Sequence, residues 1–356
     1  MWDKVGPRNW RRPLLLQPDN FTPPERTPWG GHRIAGQLKL NAGLEVRGVV
    51  GEAWELSVEP DFPSRIVEGP TLDEVLRADP ALLGAEAALG STALLVKLVD
   101  AADDLSVQIH PTDADPLLGS DESGKPEAWY IIDADQGAGL YLGFRDGVSR
   151  QDIERAIDEE GQVDALMSFV PVSAGDVFLV EPGMPHAIGK GVLLLEPQRV
   201  SPGKRGLTYR YWDWNRKYDG AGRRDPSGKP RALHRERALD VTHWEGPRED
   251  ELLDRIRQQA GPAPTGGSAT LEVLAGDDGL IRSEFFSLQR LAGSGDLVLP
   301  AADRLRSLTV LGGSLTLHDG ETELELAGGQ TAALPACLGR LRVELTAAHA
   351  LLCALA

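Results

Sequence analysis

The stretch Ser106 to Ile132, SVQIHPTDADPLLGSDESGKPEAWYII, constrains this chain more than any other. Leu105, Val107 and Ile109 alternate with Ser106, Gln108 and His110, which predicts a strand with Gln108 and His110 on one face. Pro111 has no N–H to donate and stops the ladder. A polar, glycine-containing loop follows, and Lys125, Pro126 and Glu127 lead into a second apolar run, AWYII. An amide, an imidazole and a carboxylate are thereby expected at the ends of two neighbouring strands, where donors can converge on a metal. A fourth donor is read in GDVFLVEPGMPHAIG, where a strand over residues 177 to 180 ends in a Pro-Gly turn that presents His186.

Gln108, His110, Glu127 and His186 make a hard set of two imidazoles, a carboxylate and an amide oxygen. That set suits zinc and can accept manganese or cobalt, with positions left open for water or substrate. Singly, a glutamine or glutamate is ordinarily a surface residue, and a histidine after a turn can simply hydrogen-bond. The arrangement on alternating strands is more specific than any of its members. The only cysteines, Cys337 and Cys353, lie near the C-terminal end, far from these donors in sequence. They exclude a closed cysteine site and a disulfide framework, and they fit a reducing cytoplasm.

The remainder reads as a strand-rich chain. Residues 1 to 30 form a lead-in punctuated by Pro7, Pro13, Pro18, Pro23, Pro24 and Pro28, too often for a helix. Residues 51 to 58 alternate as a strand with Glu52 and Glu55 on opposite faces; Glu55 is expected to be solvated or paired with an arginine. Thr71 caps a predicted helix running to Ala88, and residues 94 to 99 form an apolar strand. A helical insertion over about 149–168 starts at a capping-box-like Ser149 and interrupts the strands. Short helices are expected over 234–241 and 249–259, and GPAPTGGS (261–268) has linker composition. Residues 1–260 therefore read as one domain and 261–356 as another. The second resembles a string of short strands between glycine turns, as in sandwiches and barrels. Its segment 328–336 echoes 174–182 but lacks a histidine at the equivalent of His186, so it reads as a second small β-barrel without metal.

Charge narrows the ligand. The chain carries a formal net charge of −17, which argues against nucleic-acid binding and against docking on an anionic membrane. No run approaches the roughly 18 apolar residues of a membrane span, and the three-leucine core near the N-terminus is too short for a signal peptide. Yet from Arg199 to Lys217 there are six basic residues and one acidic residue. This local inversion beside the histidine segment implies an anionic small molecule, most simply a phosphate ester. Lys204, Arg205 and Lys217 can equally pair with the chain's carboxylates. Arg210 sits among Tyr209, Tyr211 and Trp212, which are expected to hold its side chain, and Lys125 is expected in the same cavity.

The spans Q-I-H-P (108–111), G-K-P-E-A-W-Y-I-I (124–132), G-D-V-F-L-V-E-P-G-M-P-H-A-I-G (175–189) and T-Y-R-Y-W-D-W-N-R (208–216) resemble type I mannose-6-phosphate isomerases of the short bacterial kind. P-W-G-G (28–31), G-E-A-W-E-L-S (51–57), L-L-V-K-L-V-D-A (94–101) and H-R-E-R-A-L-D-V (234–241) match in the same order, so the resemblance reaches to about residue 245. It implies a mainly β, cupin-type double-stranded β-barrel with one zinc ion on Gln108, His110, Glu127 and His186. It also implies interconversion of mannose 6-phosphate and fructose 6-phosphate, with Arg210 as the catalytic arginine and Lys125 as the lysine preceding the glutamate ligand.

Isomerisation through a cis-enediol needs an acid and a base on one face of the sugar. Arg210 stays protonated and is cast as a stabiliser of enediolate charge or a phosphate anchor. Glu196, Lys125 and a metal-bound water are the acid–base candidates, and the residues do not choose among them. The segment from Glu196 through VSPGKRGL is longer than the family pattern and has no acidic residue after the glutamate. Rival readings are an isomerase of another phosphosugar, a non-catalytic metal-containing sugar-phosphate-binding cupin, and a metal-dependent oxygenase. The last fits poorly, because the set offers no third histidine. Monomer and homodimer are both left open.

Overall fold

Alternation of apolar and polar residues gathers the strands into three main sheets. The structure is a computed structural model and describes residues 9–44, 48–264 and 266–356; residues 1–8 of the lead-in and Thr265 of the linker lie outside them. A six-stranded antiparallel sheet runs in the order Arg257–Gln259, Asp176–Val180, Glu127–Ala134, Val192–Arg199, Leu94–Asp100, Glu52–Leu56. A five-stranded antiparallel sheet runs Tyr209–Trp212, Val107–Ile109, His186–Ile188, Gly139–Phe144, Met167–Pro171. Among the described residues, the chain is mainly β, and each sheet is open in its hydrogen-bond order.

The period of two explains how the five-stranded sheet is used. Val107, Ile109, Ala187, Tyr209 and Tyr211 point to one face and pack in an apolar cluster with Ile153, Ala238 and Leu239 from the helices Arg150–Asp158 and Arg235–Asp240. The intervening Gln108, His186 and Arg210 are left for the opposite face. They stand in one row, because His186 is directly opposite Gln108 and Gln108 directly opposite Arg210. The insertion helix begins as expected, with Ser149 and Asp152 forming a reciprocal capping box. It ends at Asp158, and the strand Met167–Pro171 starts inside the span read as helical.

A seven-stranded sheet takes up the C-terminal region, in the order Leu14–Leu15, Thr331–Leu334, Arg306–His318, Leu341–Leu355, Phe286–Leu299, Thr270–Ala275, with Glu323–Ala327 added to the Arg306 strand. Its three central strands are 14, 13 and 15 residues long, not short. The glycines that read as turns are bulges within them, at Gly293–Gly295 and Gly312–Ser314. Gly313 has φ 65°, and a Cβ there would lie 2.1 Å from the Ala347 carbonyl oxygen. The first strand of this sheet comes from the lead-in, so Leu14 and Leu16 are buried against residues more than three hundred positions away.

Three other expectations are revised. The helix capped by Thr71 stops at Ala78, where Pro80 cannot continue it. The helix Glu249–Ile256 gives way to a strand at Arg257, which pairs with Phe178. Glu55 is neither solvated nor paired with arginine. It is buried, 2.7 Å from Lys39 Nζ, and accepts a hydrogen bond from Thr331 Oγ1 at 2.7 Å. Lys39 Nζ also donates to the Gly329 carbonyl at 3.0 Å, so this pair fastens the C-terminal sheet to the Glu52–Leu56 strand. No helix among the described residues is long and apolar enough to cross a membrane.

Candidate metal centre and active-site cavity

Three donors converge where the five- and six-stranded sheets face each other. His110 follows the Val107–Ile109 strand, His186 opens the next strand, and Glu127 opens the central strand of the facing sheet. All three are buried, and one ligand atom from each lies within 4.8 Å of the others. His110 Nε2 is 3.1 Å from Glu127 Oε1, and His186 Nε2 is 3.9 Å from Glu127 Oε2.

The tautomers are set from behind. His110 Nδ1–H donates to the Leu207 carbonyl and His186 Nδ1–H to the Met184 carbonyl, both at 2.9 Å. Each imidazole therefore turns its bare Nε2 lone pair toward the centre. Among the described residues, His110 Nε2, His186 Nε2 and Glu127 Oε2 have no hydrogen-bond partner although they are buried. Buried polar atoms are rarely left so, and three aimed at one point fit a divalent cation. Burial keeps both imidazoles neutral: His110 is pushed below the usual histidine range, and His186 down to about 3, by burial first and then by neighbouring His110. Burial alone would raise the Glu127 carboxyl. Lys125 and His110 outweigh it and hold that carboxyl well below its usual range. The donors are thus deprotonated, as ligation requires.

Gln108 lies beside His186 in the strand register and lines the adjoining cavity. Glu127 is oriented by a neighbour that the sequence reading did not single out: Gln198 Nε2 donates to Glu127 Oε1 at 2.6 Å. Gln198 stands two positions from Glu196 on the strand Val192–Arg199, so strand alternation places both on one face. Pro197 hid this continuity, since proline argues against a central strand. The strand tolerates it where its pairing to Glu127–Ala134 is interrupted, between Leu195 and Gln198.

The cavity has a volume of about 450 Å³. Glu196, Lys125 and Arg210, the remaining residues singled out from sequence, all line it. Lys125 Nζ lies 3.1 Å from Glu127 Oε1 and 3.0 Å from Thr208 Oγ1. Glu196 accepts a hydrogen bond from Trp129 Nε1 at 2.9 Å, and its carboxyl is pushed up to about 8 by burial and by the charge of Glu127. Lys97 faces Glu196 from the neighbouring strand and lies 4.0 Å from the centre of the Trp54 ring. Arg210 is not held by the aromatic residues around it, because alternation sends Tyr209 and Tyr211 to the other face. Its Nε donates to Ser106 Oγ at 3.1 Å and its Nη1 to the Ala232 carbonyl at 2.9 Å. Burial and Arg231 lower it to about 10, so it stays protonated at neutral pH. Of the other basic residues in the 199–217 run, Arg199 pairs with Asp113, Arg205 with Asp121 and Glu122, and Arg216 with Asp213 and Asp103.

No protein-family model matches the sequence. Individual proteins do. The chain is 32% identical over 328 residues to a mannose-6-phosphate isomerase from Streptococcus mutans, covering 91% of this chain and 92% of that protein. The crystal structure of a mannose 6-phosphate isomerase from Bacillus subtilis superimposes with a TM-score of 0.73 at 24% identity, over 96% of this chain and 99% of that one. A further solved structure, a mannose 6-phosphate isomerase bound with zinc and yttrium, has a TM-score of 0.64 at 14% identity, over 96% of this chain and 98% of that one. Identity at this level along nearly the whole of both proteins, on the same fold, places the chain in the mannose-6-phosphate isomerase family.

Proposed function

We propose that the protein is a zinc-dependent aldose–ketose isomerase that interconverts mannose 6-phosphate and fructose 6-phosphate through a cis-enediol. The observation that carries this reading is the trio of unpartnered, buried donor atoms on His110, Glu127 and His186 beside a cavity that Lys125, Arg210 and Glu196 line. Gln108 completes the ligand set. In this reading the two facing sheets form a cupin-type double-stranded β-barrel, and the C-terminal sheet is a second, metal-free barrel. The phosphosugar is the only partner required, and the cytoplasm is the compartment.

Zinc or another divalent ion, when bound, supplies Lewis acidity toward the carbonyl and hydroxyl oxygens of the sugar. The chain's own residues do the rest. Gln198 fixes the Glu127 carboxylate, and the backbone carbonyls of Leu207 and Met184 fix the imidazoles. Glu196, with a carboxyl pushed up to about 8 by burial and by the charge of Glu127, moves the proton between C1 and C2. Lys125 contributes positive charge against the developing enediolate, and Arg210 binds the phosphate or the enediolate oxygen.

The test is a coupled assay for mannose 6-phosphate conversion before and after EDTA, with zinc added back. Loss and restoration of turnover support the reaction and the metal together. A folded, zinc-loaded protein that does not turn over mannose 6-phosphate defeats the reading. In a second arm, Glu196→Gln is expected to lower kcat by about 100-fold or more, in line with loss of a general acid–base group.

A further inference from the structure

One wall of the cavity is built from residues that neither the metal set nor the acid–base group uses. The loop from Lys217 to Leu233 is closed on itself by reciprocal backbone hydrogen bonds between Tyr218 and Lys229, at 2.9 and 3.0 Å. Arg231 follows that closure and lines the cavity together with Arg210. Asp213 grips it from below: Arg231 Nε and Nη2 donate to the two oxygens of Asp213, each at 2.7 Å. This two-point grip leaves Nη1 outside it, and the Arg231 side chain keeps 20% of its surface exposed. Arg216 is spent differently. It is only 5% exposed and is committed to Asp213, to Asp103 at 3.2 Å and to the Asp104 carbonyl at 2.7 Å.

The charges in this wall do not balance. Among the described residues, Arg210, Arg216, Arg224 and Arg231 share two carboxylates in their ion pairs, Asp103 and Asp213, an excess of two positive charges. Among the described residues, the Arg210 guanidinium has hydroxyl and carbonyl partners only. Two guanidinium groups in one cavity wall, of which Arg210 has no ion-pair partner among the described residues, suit a phosphate monoester dianion. Position agrees. Arg210 is two strands from His186 in the row His186–Gln108–Arg210, about 10 Å between the outer backbones. A hexose 6-phosphate carries its phosphorus at the far end of the chain from C1 and C2, so its two ends are matched to the two ends of that row.

We infer that Arg231, held by Asp213, is a substrate-binding residue that grips the phosphate together with Arg210. The assignment rests on the phosphosugar reading above, and it makes Asp213 a positioning residue.

The experiment compares zinc-loaded wild type with Arg231→Gln, Arg231→Lys and Asp213→Asn. It measures KM and kcat for mannose 6-phosphate, and binding of inorganic phosphate by titration calorimetry. Zinc content and melting temperature establish that each variant is folded and loaded. Loss of one charge-assisted phosphate contact is expected to raise KM by about 10- to 100-fold in Arg231→Gln, with the change in KM rather than kcat, and to weaken phosphate binding in parallel. Arg231→Lys recovers part of the loss, and Asp213→Asn shows a smaller rise in KM with the same phosphate signature. An Arg231→Gln variant that binds phosphate as tightly as wild type overturns the inference, even if isomerase activity is present. Should Arg231→Gln not fold, an unchanged KM and phosphate affinity in folded Arg231→Lys and Asp213→Asn overturns it equally. If wild type binds phosphate through Arg231 but never isomerises mannose 6-phosphate, the reaction falls and the phosphate site stands.

Discussion

The segments 174–182 and 328–336 are built alike and put to opposite uses. Each turns at a glycine with positive φ, Gly175 at 90° and Gly329 at 86°, then runs as a buried strand that ends just before a proline. Around the first, the space between sheets holds Glu127, His110, His186, Gln198 and a cavity of about 450 Å³. Around the second, Leu291, Leu308, Val310, Leu326, Leu334 and Leu352 fill the space, and the buried Thr331 bonds to Glu55 and Thr309. One frame thus borders a donor-lined cavity where the chain beyond the proline supplies a histidine, and closely packed leucines where it does not.

The sharpest test of this contrast lies in the centre itself. Glu127→Gln removes the carboxylate, and it is expected to lower zinc content and cut turnover by more than about 100-fold, as metal analysis and the coupled assay will show. An active, zinc-replete variant would erase the distinction between the two regions. The next effect lies at their junction. Glu55→Gln leaves the Lys39 ammonium buried without its counter-charge and is expected to cost about 3–5 kcal/mol in urea unfolding. A change near zero would mean that the two regions are not coupled through this pair. In the apolar core, Leu352→Ala is expected to cost about 2–5 kcal/mol while zinc content stays at the wild-type level. Loss of zinc there would deny that the second core is separate from the chemistry.

A further effect is a pH dependence. His349 Nε2 lies 3.0 Å from the Tyr130 hydroxyl, with Arg290 Nη1 3.5 Å from that same oxygen and Glu272 paired to Arg290. Burial, then Arg290, lowers His349 from the usual 6.5 to about 4. The unfolded chain therefore binds this proton first. Stability from this group is complete above about pH 6.5, declines as the pH falls, and is gone below about pH 4; the total is on the order of 3 kcal/mol. Unfolding free energy measured from pH 7 to 4 is expected to show a shallower slope in His349→Gln than in wild type. Parallel slopes would remove His349 as the cause.

What the sequence made legible follows from local rules. His110, Glu127 and His186 could be read because strand alternation and Pro-Gly turns act within a few residues, and the structure brings those three together. Gln198 was hidden by Pro197, whose missing N–H falls at a break in the pairing. Arg231 was hidden because it closes a Pro- and Gly-rich loop, where neither alternation nor helical period can place a side chain. The partner of Glu55 was beyond local reach, since Lys39, Thr331 and Gly329 meet only in the folded chain. The long C-terminal strands were read as short because a glycine in a bulge and a glycine in a turn look the same in one dimension.

The strand Leu14–Leu15 is hydrogen-bonded to Ala332 and Ala333, so the last sheet is completed by residues translated long before it. During synthesis its neighbours at residues 65–67, which bond to Leu15 and Gln17, are made early, whereas its sheet partner follows more than three hundred residues later. A nascent chain and a refolding one thus begin from different sets of contacts, and one edge of the early strand stays open until its C-terminal partner is made.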